Sequence, residues 1–367
     1  MPARRTQVLT VDRHRPDPDA IRLAADTIRS GRLVAFPTET VYGLGANALD
    51  PEAIHRIFVA KERPTTDPLI VHLDTFESVA VVAADVPPVV AALARCFWPG
   101  PLTLVLPRHA RVPLSVTAGL ETVAVRVPAH PVALALLAAA AVPIAAPSAN
   151  LFSRPSPTCA AHVLADLDGR IDLLLDAGAT DVGVESTIVD LTVQPPVVRR
   201  PGGVPVEALR ELLPDLGLVM RAAAPDVAQV APGQMLRHYA PQARLTLVIG
   251  DVEGVRQYVL SAIRSRDGRH RPIGVLAPAE DVSTLAQALR TADGEWDVAL
   301  QPYGSRGDPS SCARQLFASL RALDARGVDE ILAIAPDAPG LGLAVRDRLM
   351  RAAEGRTVDA GHAGSGA

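Results

Sequence analysis

Two periodicities alternate along this chain, and one stretch interrupts them. Apolar residues at helix spacing, Ile21, Ala24, Ala25 and Ile28, give way to a short apolar run, Leu33-Val34-Ala35-Phe36, and helix spacing returns at Ile54, Ile57 and Phe58. That alternation restricts the chain to an α/β architecture. Asp19 is placed to cap the first helix and Gly31 to end it. Asp50 and Pro51 open the second, which runs out at or just before Lys61. Further strands are expected over 69–73, 102–106, 122–127, 171–175 and 187–191, with helices over 131–141 and 205–213. Several strands follow one another without a helix, so the sheet of residues 1–213 is expected to be mixed and twisted. From 214 to 243 the pattern dissolves into Pro, Gly and Ala, as in a linker. Strands over 245–249, 273–276, 298–300 and 331–334 then alternate with helices over 252–263, 284–291 and 310–325. This simpler repeat predicts a smaller, Rossmann-like parallel sheet over 244–354, and the Gly- and Ala-rich residues 355–367 read as a flexible tail.

A chain of 367 residues can hold two hydrophobic cores. Aromatics are only 3% of it, so those cores are aliphatic. The net charge of -4 leaves no broad basic face for a nucleic acid. Cys96, Cys159 and Cys312 are scattered and odd in number, which suggests neither a disulfide framework nor a structural zinc site. No apolar run follows the basic N-terminus, and the most apolar segment, 132–146, is interrupted by Pro143 and shorter than the roughly 20 residues of a membrane span. The expected location is the cytoplasm, with no membrane contact.

Lys61 is the only lysine; the other 35 of the 36 basic residues are arginine. A lysine is a compact charge on a flexible stem, and arginine a planar fork. With the chain extended through Glu62, Lys61 and Arg63 would share one side and reach a single anion; the plainer reading is two solvated cations closing a helix. The polar loop 36–47 (F-P-T-E-T-V-Y-G-L-G-A-N) follows the first strand and offers Thr38, Thr40, Tyr42 and Asn47, or is simply a Thr- and Gly-rich turn. A-P-S-A-N supplies Ser148 and Asn150, V-E-S-T-I-V-D supplies Ser186 and Thr187, and R-R-P-G-G joins Arg199 and Arg200 to two glycines that could accept an anion. Neither the P-loop nor the dinucleotide fingerprint is present. These loops suit the positioning and charge stabilisation of phosphoryl groups better than covalent catalysis.

The same segments resemble the YrdC/Sua5 family, the threonylcarbamoyl-AMP synthases. The matching pieces are P-T-E-T-V-Y-G-L-G at 37–45, K-x-R at 61–63, P-L-I-V-H at 68–72, W-P-G-P-L-T at 98–103, S-A-N at 148–150, E-S-T-I-V-D at 185–190, R-P-G at 200–202 and H-Y-A-P at 238–241. The resemblance implies that L-threonine, bicarbonate and ATP, with Mg2+ on the phosphates and no tightly bound organic cofactor, give threonylcarbamoyl-AMP and pyrophosphate. It implies catalytic roles for Lys61 and Arg63 on phosphate or carboxylate oxygens, and nucleotide contacts for both and for Ser148, Asn150, Ser186 and Arg199. Thr38, Tyr42 and Thr187 would serve the threonine and carbamate side, with His238 and Tyr239 on a linker folding toward the site. No protein metal ligand is implied. The adenylate would pass to the transferase complex that makes tRNA t6A37, so no stable nucleic-acid binding is required. Two departures stand out: Glu62 where the family often has glycine, and Gln234-Met235-Leu236 before H-Y-A-P. Two other functions compete: a double-stranded RNA or nucleotide-binding regulatory module, and a carbamoyl-adenylate-forming carbamoyltransferase.

Overall fold

The computed structural model describes residues 5–219, 228–233, 235–265, 272–291, 296–336 and 338–361. The chain divides into two units, residues 1–152 with 156–235, and residues 153–155 with 236–367.

The first unit contains β1 (Gln7–Thr10), α1 (Pro18–Arg29), β2 (Val34–Pro37), β3 (Tyr42–Asn47), α2 (Pro51–Lys61), β4 (Ile70–His72), α3 (Val79–Val82), α4 (Pro88–Phe97) and β5 (Leu102–Pro107). It continues through β6 (Thr122–Arg126), α5 (Pro131–Ala140), β7 (Ile144–Ala145), α6 (Ala160–Leu167), β8 (Leu173–Asp176), β9 (Thr187–Asp190), β10 (Val197–Arg200), α7 (Val206–Arg210) and β11 (Gly217–Leu218). Among the described residues these strands form one sheet, in the order β1-β8-β2-β3-β7-β4-β6-β5-β9-β10-β11. The sheet is mixed: β4 runs parallel to β6 and β5 to β9, while β3 is antiparallel to both β2 and β7. The predicted mixed α/β sheet is therefore present.

Local chemistry explains the elements nearest the site. The Asp50 carboxylate accepts from the amides of Glu52 and Ala53, and Pro51 pre-sets the first turn of α2. Ala53, Ile54, Ile57 and Phe58 bury one face of that helix. In α1 the cap is Asp17, whose side chain accepts from the Asp19 amide, so Asp19 lies in the first turn and not at the cap. The apolar stripe of α1 (Ile21, Ala24, Ala25, Ile28) packs with Val132, Ala133, Leu136 and Leu137 of α5 over Val34 and Phe36.

The loop read over 36–47 is shorter than expected. Residues 42–47 are strand β3, paired with β2 from Val34↔Gly45 to Pro37↔Tyr42, and only 38–41 form the turn. A Cβ on Gly45 would stand 2.8 Å from the Phe36 ring and 2.9 Å from Ile144 Cγ2, so glycine here admits core side chains against the sheet.

Residues assigned to the linker also contribute to the first unit. Gly217–Leu218 pair with β10, and Ala231 packs against Ile70, Val105, Ala124 and Ile188. Gln234 lies outside the described residues.

The second unit consists of β12 (Arg244–Ile249), α8 (Val252–Arg264), β13 (Ile273–Ala277), α9 (Ala279–Thr291), β14 (Val298–Pro302), α10 (Pro309–Ala325), β15 (Glu330–Ile334), α11 (Leu341–Ala352) and β16 (Thr357–Asp359). Its sheet, ordered β14-β13-β15-β12-β16, is parallel at every pairing. The expected small parallel sheet is there, and the first residues of the expected tail join it, while 362–367 lie outside the described residues. Thr357–Asp359 pair with Leu247–Ile249 as an edge strand, because backbone groups beside an open strand bond more readily than they fray.

Candidate active site

The lone lysine is buried. Lys61 closes α2 with 1% of its surface exposed, and its Nζ donates to the carbonyls of Ser148 at 2.5 Å and Asn150 at 2.6 Å. Burial, with help from the neighbouring Arg63 charge, pushes its pKa well below the usual lysine range. The two acceptors are fixed in turn. Ala149 N donates to Tyr42 O at 2.8 Å and Leu44 N to Pro147 O at 2.7 Å, which binds the S-A-N loop to β3, and Phe152 N donates to Lys61 O at 2.8 Å. K-x-R and S-A-N are therefore one structural object.

The chain is not extended through Glu62. This residue has φ 54° and ψ 39°, the left-handed region, and its exposed carboxylate pairs with Arg170 at 2.7 Å. A helix end of this kind favours glycine. Glu62→Gly is accordingly expected to stabilise the protein by about 0.5–1 kcal/mol, since the backbone relief exceeds what an exposed pair contributes. A lower midpoint in denaturant unfolding would show that the Arg170 pair outweighs the backbone.

Arg63 is held on the other side of that turn. It pairs with Asp67 Oδ2 at 2.9 Å, donates from Nη2 to Pro68 O at 2.8 Å and lies 5.9 Å from the centre of the Phe152 ring. Asp67 is fully buried, and the three cations whose fields reach it are Arg63, Lys61 and Arg200. Arg200 donates to Ser186 O and, at 3.2 Å, to Ser186 Oγ, which also meets Thr103 Oγ1 at 2.8 Å. The remaining Arg200 fork donates to Pro232 O, while Gln229 N donates to Thr66 O, so residues 229–232 line the same side of this unit.

The structure thus separates the two adjacent arginines. Arg199 grips Asp190 through Nε at 2.9 Å and Nη2 at 2.7 Å, while Arg200, one residue along the strand and on the opposite face, joins Ser186. Of the two arginines, Arg200 meets Ser186 while Arg199, expected to contact the nucleotide, is paired with Asp190.

The other hydroxyls are engaged within the fold. Thr187 Oγ1 donates to Val204 O at 2.6 Å and accepts from Val204 N. Tyr42 donates to Gly178 O at 2.7 Å and accepts from Ala177 N, and burial raises its pKa. Thr38 Oγ1 donates to Val41 O and meets Thr40 Oγ1, each at 2.7 Å. Beneath that turn stands Arg126, a residue sequence reasoning missed. Its guanidinium donates to Thr40 Oγ1 and Gly100 O and pairs with buried Glu39 at 2.6 Å. A charge ending the apolar run V-A-V-R-V was the signal that could have found it. Burial and the Arg126 charge together hold His72 down to about 3, which keeps it neutral. Glu39 O and Thr40 O accept from the amides of 182 and 183, which ties this turn to the segment leading into Glu185-Ser186.

The glycines of R-P-G-G serve packing. A Cβ on Gly202 would stand 2.3 Å from Glu185 O and 2.5 Å from Ser186 O, both backbone atoms. Gly202→Ala should therefore cost about 3 kcal/mol as the strand entry is forced aside. An unchanged unfolding midpoint would show the loop free to shift.

His238 and Tyr239 fall in the second unit. There the Tyr239 ring lies 5.4 Å from that of Phe317, with the Arg348 guanidinium 5.1 Å from its centre. Among the described residues no group of three His, Cys, Asp or Glu could hold a metal ion, and no helix is long and apolar enough to cross a membrane.

A buried lysine and two anchored arginines among small hydroxyl and amide loops, on a mixed sheet followed by a parallel-sheet unit, define a two-unit α/β protein with a cationic centre. Residues 26–202 match the Sua5/YciO/YrdC family, described as "Telomere recombination", and residues 204–354 match "Threonylcarbamoyl-AMP synthase, C-terminal domain". The chain belongs to this family, in its two-domain Sua5 form. It is 46% identical to the threonylcarbamoyl-AMP synthase of Pyrococcus abyssi, across 92% of this chain and 95% of that protein. It is 39% identical to that of Bacillus subtilis, across 92% and 94%. The crystal structure of P. abyssi Sua5 complexed with L-threonine superimposes with a TM-score of 0.88 at 43% identity, covering 96% of this chain and 99% of the other.

Proposed function

We infer that this chain joins L-threonine, bicarbonate and ATP into L-threonylcarbamoyladenylate and releases pyrophosphate. The observation that carries this reading is the placement of Lys61, sealed between the Ser148 and Asn150 carbonyls with Arg63 and Arg200 beside the same buried Asp67. In the reaction the threonine amine adds to the carbon of bicarbonate and water is lost. A carbamate oxygen then attacks the α-phosphorus of ATP, and the bond to the bridging oxygen breaks as pyrophosphate leaves.

Each step concentrates negative charge, and the residues answer it. Lys61 and Arg63 neutralise the carbamate and phosphate oxygens as charge moves between them, in a dry site where fixed cations act strongly. Ser148 and Asn150 hold the nucleotide, and Ser186 does so together with Arg200. Thr38 positions the 38–41 turn on the threonine side, supported by Arg126; Tyr42 and Thr187 act by fixing the backbone on which these groups stand. Mg2+ entering with ATP would offset negative charge on its phosphates. The adenylate then passes to a transferase acting on tRNA, in keeping with a chain of net charge -4.

The test is incubation with ATP, Mg2+, bicarbonate and labelled threonine. Threonine-dependent pyrophosphate release with a labelled adenylate is the expected result. A well-folded protein that makes neither product would sink the reading, and RNA binding by that protein would favour the regulatory alternative.

A further inference from the structure

The second unit holds a cavity of about 510 Å³ to which the reaction above assigns no role. Its place follows from the topology. The chain leaves β12 through α8 toward β13, on the far side of β15, whereas it leaves β15 through α11 toward β16, on the far side of β12. The two adjacent strands thus send their connections in opposite directions, and a crevice opens beyond their C-terminal ends, where open parallel sheets bind ligands. Val252, Val255 and Ile334 give the cavity an apolar wall, and Arg306, Arg346 and Asp359 give it polar groups. Its volume is that of a small-molecule site.

The charges are arranged unequally. Buried Asp281 pairs with Arg306 and, at 2.9 Å, with Arg256, so one carboxylate faces two guanidinium groups. Arg306 is thereby fixed in place, with Glu280 accepting from its amide at 3.0 Å, and among the described residues Arg346, exposed on α11, forms no ion pair. The N-terminus of α8 is already closed. Asp251 caps it through Gly254 N at 2.7 Å, and the Gly361 carbonyl lies so near that a Cβ on Gly254 would stand 2.6 Å from it. An anion in this cavity must use the arginines. Asp359 bonds Gly361 N through Oδ1 at 2.9 Å, and its other oxygen is suited to accept from a hydroxyl.

We propose that this crevice is a second ligand site, which takes a nucleoside phosphate: the phosphate on Arg306 and Arg346, a ribose hydroxyl on Asp359, and the base against Val252, Val255 and Ile334. The site belongs to the second unit and does not depend on the assignment of the Lys61 centre.

Hydrogen exchange of the full chain with AMP as probe tests it locally. AMP should protect residues 248–255, which line the cavity. Arg346→Glu, a surface change, should weaken that protection about tenfold or more, and Arg306→Gln should do the same. Lys61→Ala should leave it intact. Absence of protection at millimolar AMP would overturn the proposal, as would protection indifferent to both arginine variants. Equal protection by inorganic phosphate at the same concentration would overturn the nucleoside assignment.

Discussion

Lys61→Arg is expected to lower threonine-dependent pyrophosphate release about a hundredfold or more while the protein still folds. The loss of one preorganised charge contact to a developing oxyanion is worth about 10²–10³ in rate. Arginine keeps the charge but not the shape: one Nζ atom reaches two carbonyls at 2.5 and 2.6 Å in a pocket that leaves 1% of the residue exposed, and a planar fork is both longer and wider. Near-normal turnover would show that any cation suffices. The depressed pKa carries a second consequence. Between the folded-state value and 10.5, the native chain releases a proton that the unfolded chain retains, so this group makes stability rise with pH across that window and penalises the fold in full below it. A polyphosphate beside Lys61 favours its charged form, so at a pH inside that window calorimetry in buffers of different ionisation enthalpy should register proton uptake in the wild type and none from this site in Lys61→Met.

Arg126→Ala is expected to destabilise the protein by about 3–5 kcal/mol, the usual cost of removing one partner from a buried ion pair. Glu39 would be left inside without its cation, and the Thr40 hydroxyl would lose the donor that orients the 38–41 turn. Equilibrium denaturation measures the loss. The double variant Arg126→Met with Glu39→Gln should recover much of it, because it is the stranded carboxylate that is costly. If the double variant is as unstable as the single one, the arginine acts chiefly by packing.

The place of Lys61 in the chain was legible, because the Asp50-Pro51 cap and the Ile54, Ile57, Phe58 stripe fix where α2 begins and which way it faces. Its environment was not. The two carbonyls that surround it come from 87 and 89 residues away, and no local pattern encodes that meeting. Strand β3 escaped for a different reason: Y-G-L-G-A-N has little intrinsic strand preference, and Phe36 and Ile144 impose the conformation from outside. The different surroundings of Arg199 and Arg200 were partly legible. Once 197–200 is read as a strand, period two puts neighbouring arginines on opposite faces, but the side that faces Ser186 becomes visible only when β9 lies beside it. Arg126 drew no notice for want of a motif, although a charge at the end of a buried strand needs a partner.

The edge strand β16 bears on how this protein can be shortened. The match to the family's C-terminal domain ends at residue 354, and a chain cut there would look complete by sequence. It would also strip the outer partner from β12, leaving the backbone of Leu247–Ile249, an apolar and partly β-branched row, open. Such a row is a template for another copy of itself, so the shortened chain would be prone to self-association through a sheet that the intact molecule keeps closed with three residues.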